Sequence, residues 1–181
     1  KKTYLQAVAQ NVQGAYVPAF YHPSYHKDGT IASINPVCDV PEKITRPYVE
    51  DLSSESTFST IITPNTTFDR TFLIEVSRGC PHGCRFCAAG FIYRPPRFRP
   101  VELLRENINQ GKKITNKAGL VGAAVSDLPG VKELCQQALE EDIKISFSSL
   151  RADALTPELL SVLSKSKVKT ATIAPDAGSA R

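Results

Sequence analysis

Methionine is absent from this 181-residue chain, where a usual frequency would supply about three or four, and there is no initiator. Two readings stay open: an internal fragment of a longer protein, or a chain whose modified methionines do not appear in the written sequence. Long apolar runs are also missing. No stretch approaches the roughly 20 residues that a membrane span requires, and the amino terminus lacks the charged-then-apolar pattern of a secretory signal. A soluble, cytoplasmic protein with no membrane partner is therefore expected. Low-complexity tracts are missing too. The 13 prolines are mostly scattered, and 41% hydrophobic with 22% charged residues is the composition of a folded chain rather than a disordered one.

The basic excess is small, 22 Lys and Arg against 18 Asp and Glu, and it gathers locally at Arg85, Arg94, Arg97 and Arg99. With Tyr93 and Phe98 alongside, this stretch has the makings of an RNA contact, because cations meet phosphates and aromatic rings stack on bases. The competing reading is a solvated face or an extended segment packed on the flank of a domain. The prolines between the arginines favour the second.

The order of elements is clearest after residue 70. Phe72 to Val76 is a short apolar run rich in strand formers, and Pro100 opens a helix with Val101, Leu104 and Ile108 at helical spacing that Gly111 is expected to close. Gly119 to Val125 predicts a second, buried strand ending at Ser126 and Asp127. Asp127 and Pro129 are candidates to cap and start the next helix, with its apolar stripe at Val131, Leu134, Cys135, Ala138 and Leu139. Ile143, Ile145 and Phe147 alternate with polar residues as a third strand, Thr156-Pro157 starts a third helix, and Val168 to Ala174 predicts a fourth strand.

Strand and helix thus alternate from Thr71 to Ala174, which predicts an α/β fold with a parallel sheet, whose ligands gather at the carboxyl ends of the strands. Those ends carry the segment after Val76, Ser126-Asp127, Ser148 to Arg151, and Asp176. The expected division is residues 1–70, a hairpin turning at His26 to Thr30 followed by an extended linker, and residues 71–181, the α/β part.

Five cysteines make an odd number, and three of them, Cys80, Cys84 and Cys87, fall within eight residues. Random placement of five cysteines would give this spacing about 1 time in 500, so a ligand cluster is the better reading, and a disulfide framework is not. Three thiolates on one loop suit three irons of a cubane, leaving a fourth iron open. A structural zinc site would need a fourth ligand, for which His82 lies awkwardly close. His22, His26 and Cys38 are read as ordinary surface and turn residues, and Cys38 and Cys135 as structural thiols.

The segment Cys80-Pro81-His82-Gly83-Cys84-Arg85-Phe86-Cys87, preceded by Glu75-Val76-Ser77-Arg78-Gly79, resembles the radical S-adenosylmethionine superfamily. The resemblance implies a partial (β/α) barrel, of which about four strand-helix units are present here, with the cluster loop after its first strand. It also implies a [4Fe-4S] cluster on Cys80, Cys84 and Cys87, S-adenosylmethionine on the open iron, a substrate whose identity stays open, and an electron donor such as flavodoxin or ferredoxin. Carried over by position, Phe86 would meet the adenine, and Ser126 and Asp127 would meet the substrate's amino nitrogen, although the family's usual Gly-Gly-Glu is missing. Ser149 and Arg151 would meet the ribose and the carboxylate, and Asp176, in place of a usual Glu, the ribose. A narrower likeness rests on Cys84 to Arg97, Ser148 to Arg151, Pro175 to Ser179 and the joint near Ala15 to Pro18. It is to radical enzymes with an upstream cobalamin-binding domain, and implies cobalamin in the full-length protein, with methyl transfer as one possible reaction. The alternative function is a zinc- or iron-sulfur-binding module that contacts RNA.

Overall fold

The computed structural model describes residues 2–168 and 170–173. Its internal contacts divide the chain into two units, Lys1–Val49 and Glu50–Arg181. This division and the one expected at residue 70 differ in where they place residues 50–70, part of which pairs with the sheet of the second unit.

The first unit begins with helix α1 (Lys2–Asn11), which the sequence reading did not foresee, and continues into the expected hairpin of β1 (Tyr21–Tyr25) and β2 (Ile31–Pro36). Its turn is held by Asp28, whose Oδ1 accepts hydrogen bonds from Thr30 N at 3.0 Å and Thr30 Oγ1 at 2.7 Å, the local bonding that makes Asp a turn residue. Ala9, Phe20 and Tyr21 form a small buried cluster of their own.

The second unit runs through β3 (Phe72–Glu75), β4 (Ser77–Arg78), α2 (Ala89–Ile92), β5 (Arg97–Phe98), α3 (Val101–Lys112), β6 (Lys117–Val121), α4 (Val131–Glu140), β7 (Lys144–Phe147) and α5 (Pro157–Lys165). Strands β3, β6 and β7 pair in that order, all parallel. Phe72 and Ile74 of β3, Leu120 of β6 and Ile145 of β7 share one core with Leu104 and Ile108 of α3 and Leu134 and Ala138 of α4. The expected α/β alternation is present, and the apolar stripes of the helices cover the parallel strands, α3 against β3 and β6, and α4 and α5 against β7.

Four details differ from expectation. Gly111 lies inside α3 and does not end it: a Cβ there would come within 2.5 Å of the Phe72 ring, so the missing side chain lets that ring pack against the helix. The second strand covers residues 117–121, and the run after it turns away at Gly122 into a 3-10 turn, Val125–Asp127, because Val125 and Leu128 bury into the core. The residue that caps α4 is Gly130 at φ 73°, with no side-chain cap, so Asp127 does not serve that helix. Of the fourth strand, Ile173 makes a parallel bridge with Leu150; Lys169 and Ala174 lie outside the described residues. By contrast, Thr156 caps α5 as expected, accepting from Leu159 N at 3.3 Å.

The outer edge of β3 is paired as well. Phe58 faces Ile74 in an antiparallel bridge, Ser59 N donates to Leu73 O, and Glu75 N donates to Thr57 O, each at 2.9 Å.

Candidate functional site

The loop with the three clustered cysteines leaves the sheet after Val76 and returns at Arg99. Its neck is closed by β4 and β5, which pair antiparallel with Ser77 opposite Phe98 and Arg78 opposite Arg97. Arg99 N then donates to Val76 O at 2.9 Å. Gly79 sits at φ 82°, where a Cβ would come within 2.2 Å of Tyr93 O, so both its left-handed backbone and the closeness of the returning chain require glycine. Inside the loop, Cys87 N donates to Cys84 O at 3.1 Å and Arg94 Nη2 to Pro81 O at 3.1 Å.

Cys80, Cys84 and Cys87 are all half-buried and line one cavity of about 220 Å³ with Phe86, Ser149 and Arg151. The other two cysteines are elsewhere. Cys38 belongs to the first unit, and Cys135 is buried in the core, where burial pushes its thiol up to about 12, so it is a neutral packing group at physiological pH. Among the described residues no three His, Cys, Asp or Glu side chains are arranged to hold a single metal ion. A cubane asks for something different, one soft thiolate for each of three irons. Three thiols spread around one cavity fit that donor set.

His82 and Arg151, which also line the cavity, belong with Asp127 to a cluster that the sequence alone does not assemble. His82 Nε2 lies 2.5 Å from Asp127 Oδ2 and 2.6 Å from Arg151 Nη1, and Arg151 Nη1 donates to Asp127 Oδ1 at 2.9 Å. One imidazole nitrogen cannot both donate to a carboxylate and accept from a guanidinium. With the proton on Nε2, His82 and Arg151 each donate to one oxygen of Asp127, and the approach of Nε2 to Nη1 is then a contact between two donors and not a hydrogen bond. Arg151 Nη2 turns outward to Asp153. Burial alone would lower the Arg151 pKa, but the two carboxylates outweigh it and hold the guanidinium above its ordinary value.

The remaining expected residues fall around this cluster. Phe86 lines the cavity and is 71% exposed. Ser126 accepts from Arg151 N at 3.3 Å, and neither it nor Asp127 is a lining residue of the cavity. Ser149 Oγ lies 3.1 Å from both Gly122 O and Ala123 O and can donate to one at a time. Asp176 lies outside the described residues. Arg99 leaves the basic stretch: only 2% exposed, it is a core residue and not part of a surface for phosphates.

Residues 74–181 match the family model described as the Radical SAM superfamily. The chain belongs to the radical SAM superfamily. That match starts within β3 and takes in the cysteine loop, the later strands and the Arg151 cluster. The chain is also 45% identical over 116 residues to Uncharacterized protein MJ0966 of Methanocaldococcus jannaschii, an alignment covering 63% of this chain and 26% of that relative. It therefore spans about a quarter of the length of the curated relative it matches. Radical SAM proteins generally use a [4Fe-4S] cluster and S-adenosylmethionine; the match does not speak to cobalamin.

His82 was legible in the sequence only as an awkward zinc ligand. The rule that ligand groups collect at strand ends brings Asp127 and Arg151 to the same face, yet nothing in the sequence says that a loop residue 45 positions before Asp127 reaches back to it.

Proposed function

We propose that this chain is the catalytic core of a radical S-adenosylmethionine enzyme in which Cys80, Cys84 and Cys87 bind a [4Fe-4S] cluster. The observation that carries the reading is the meeting of three part-exposed thiols in one cavity with Phe86, Ser149 and Arg151. When bound, such a cluster supplies the electron that cleaves S-adenosylmethionine to methionine and a 5'-deoxyadenosyl radical, which then abstracts hydrogen from the substrate.

The chain's own residues bind and orient. The three thiols must be deprotonated to act as ligands. The Phe86 ring offers an exposed apolar face on which an adenine can stack. Ser149 Oγ, next to two carbonyls, is placed to turn toward a ribose hydroxyl. Arg151 keeps one side on Asp127 and offers the other, now facing the solvent-exposed Asp153, to a ligand carboxylate. A guanidinium fork suits a carboxylate well. The reducing partner of this reading is a flavodoxin- or ferredoxin-type protein.

The test is anaerobic reconstitution of the full-length protein with iron and sulfide, followed by metal analysis and detection of 5'-deoxyadenosine after reduction with S-adenosylmethionine present. About four irons per chain and 5'-deoxyadenosine are expected. A colourless protein with one zinc per chain would instead support a metal-binding module and overturn the proposal.

A further inference from the structure

The cysteine loop has little to hold it in place by packing. From Cys80 to Ala89 no residue is buried, and the next buried one is Gly90. The hydrophobic effect therefore does not fix the loop over these ten positions. Its neck is zipped by β4 and β5, and Arg94 Nη2 on Pro81 O and Gly90 against His82 O tie the loop to its own returning chain, but none of these contacts reaches the facing wall.

The facing wall is different. Val125 and Leu128, which flank Ser126 and Asp127, are both buried in the main core, and Asp127 N donates to Ala124 O at 3.0 Å. Leu150 is buried, and Arg151 N is tied to Ser126 Oγ. Asp127 and Arg151 thus project from rigid backbone, and His82 projects from the loop toward them. The Asp127 side chain is only 14% exposed, which keeps water from competing strongly for its oxygens.

We propose that Asp127 is a positioning residue for the cysteine loop: its carboxylate, oriented by Arg151, grips His82 Nε2 and so sets where Cys80 and Cys84, two residues to either side of His82, present their sulfurs. The inference rests on the proposed function for the meaning of the loop, though the brace itself is a property of the protein without metal. It gives Asp127 a task other than contact with the substrate's amino nitrogen.

Outer partners that orient metal ligands typically cost 10- to 100-fold in metal affinity when removed. Asp127→Ala and His82→Ala should each speed loss of iron to a chelator from the reconstituted full-length protein by roughly that factor. The double variant should be little worse than either single one, because both break the same contact. Asp127→Asn, which keeps an acceptor for Nε2, should recover part of the effect. Asp153→Asn, which changes only the outward side of Arg151, should leave iron retention unchanged. A readout without metal is amide hydrogen exchange of residues 80–88 in the apoprotein. Exchange there should quicken in Asp127→Ala and His82→Ala while β6 and β7 stay protected, which also shows that the variants fold.

The two proposals fail separately. If the wild type takes up no iron but loop exchange responds to Asp127→Ala, the brace stands and the cluster reading falls. If the wild type binds iron, and Asp127→Ala and His82→Ala change neither iron loss nor loop exchange, the brace is wrong. A general rise in exchange across β6 and β7 in both single variants, undiminished in Asp127→Asn, would make Asp127 a fold residue and equally overturn its positioning role.

Discussion

The guanidinium of Arg99 donates to Glu75 Oε2 at 2.5 Å from a position almost sealed from water. The same side chain donates to Leu52 O at 2.9 Å, to Thr57 Oγ1 at 2.8 Å and to Glu55 O. One arginine thus joins the segment on the edge of β3 to the strand from which the cysteine loop departs. Removing the guanidinium leaves Glu75 with Arg78 but takes the donor from the carbonyls of Leu52 and Glu55, at a cost of about 1 to 3 kcal/mol for each buried group left unpaired. Arg99→Ala should lower the unfolding free energy by an amount near that range, read from denaturant midpoints at equal slope. A loss under about 1 kcal/mol would mean that water replaces the guanidinium at little cost.

Glu75 also makes a pH dependence. Burial pushes its carboxyl up, but hydrogen bonds from Arg78 and Arg99, and then their charges, outweigh burial and leave it below its ordinary 4.5. Its folded value lies under its unfolded one, so the unfolded chain binds the proton more tightly. The stabilisation is therefore complete above the ordinary value and is lost as pH falls through the lowered one. Glu75→Gln should be less stable than wild type at neutral pH, with the gap narrowing below about pH 4.5. A gap independent of pH between 7 and 3 would show that Glu75 acts by shape alone.

The cysteines should divide by reactivity. In the native apoprotein, alkylation at mildly alkaline pH should label Cys38, Cys80, Cys84 and Cys87 and leave Cys135 unmodified until denaturant is added, since a thiol at about 12 carries almost no thiolate there. Mass spectrometry of the labelled peptides reads this directly. After reconstitution, alanine at position 80, 84 or 87 should remove most of the iron, while Cys38→Ala and Cys135→Ala should not. Equal iron loss in the last two would refute the ligand assignment.

Arg151 has an inner partner and an outer one, with Asp127 14% and Asp153 69% exposed. An exposed pair is worth ~0 to 1 kcal/mol, so a ligand carboxylate can displace Asp153 at small cost. Arg151→Ala should raise the dissociation constant for S-adenosylmethionine roughly 10- to 150-fold, the loss of a charge-assisted bond of ~1.5 to 3 kcal/mol. Asp153→Asn should leave it unchanged or lower it by up to about 5-fold. Weaker binding in Asp153→Asn would show that the outer carboxylate helps to hold the ligand.

What could be read from the sequence follows the range of the interactions. The hairpin turn at Asp28, the Thr156 cap and the stripes of α3 and α4 are short-range patterns, and each has its counterpart in the structure. The errors come where a distant partner decides. Gly119 to Val125 is a uniformly apolar run whose composition suits a strand, but Val125 finds its burial by turning inward after Gly122. Asp127 has the chemistry of a cap, yet His82 and Arg151 claim both of its oxygens. Arg99 looks like one more surface cation until the carbonyls of residues 52 and 55, more than 40 positions earlier, are brought around it. α2 has four residues, too few for a helical period to declare itself.

The antiparallel bridge from Phe58 to Ile74 gives the sheet a direction of growth. On the β3 side the backbone groups of Leu73 and Glu75 already bond to Ser59 and Thr57, so that margin offers little template to a further parallel strand or to a strand from another molecule. Just beyond β7, Leu150 instead meets Ile173 in parallel. The margin of the sheet beside β3 is therefore occupied by an antiparallel segment, whereas the one beyond β7 takes a parallel neighbour, on the side away from the strand that leads into the cysteine loop.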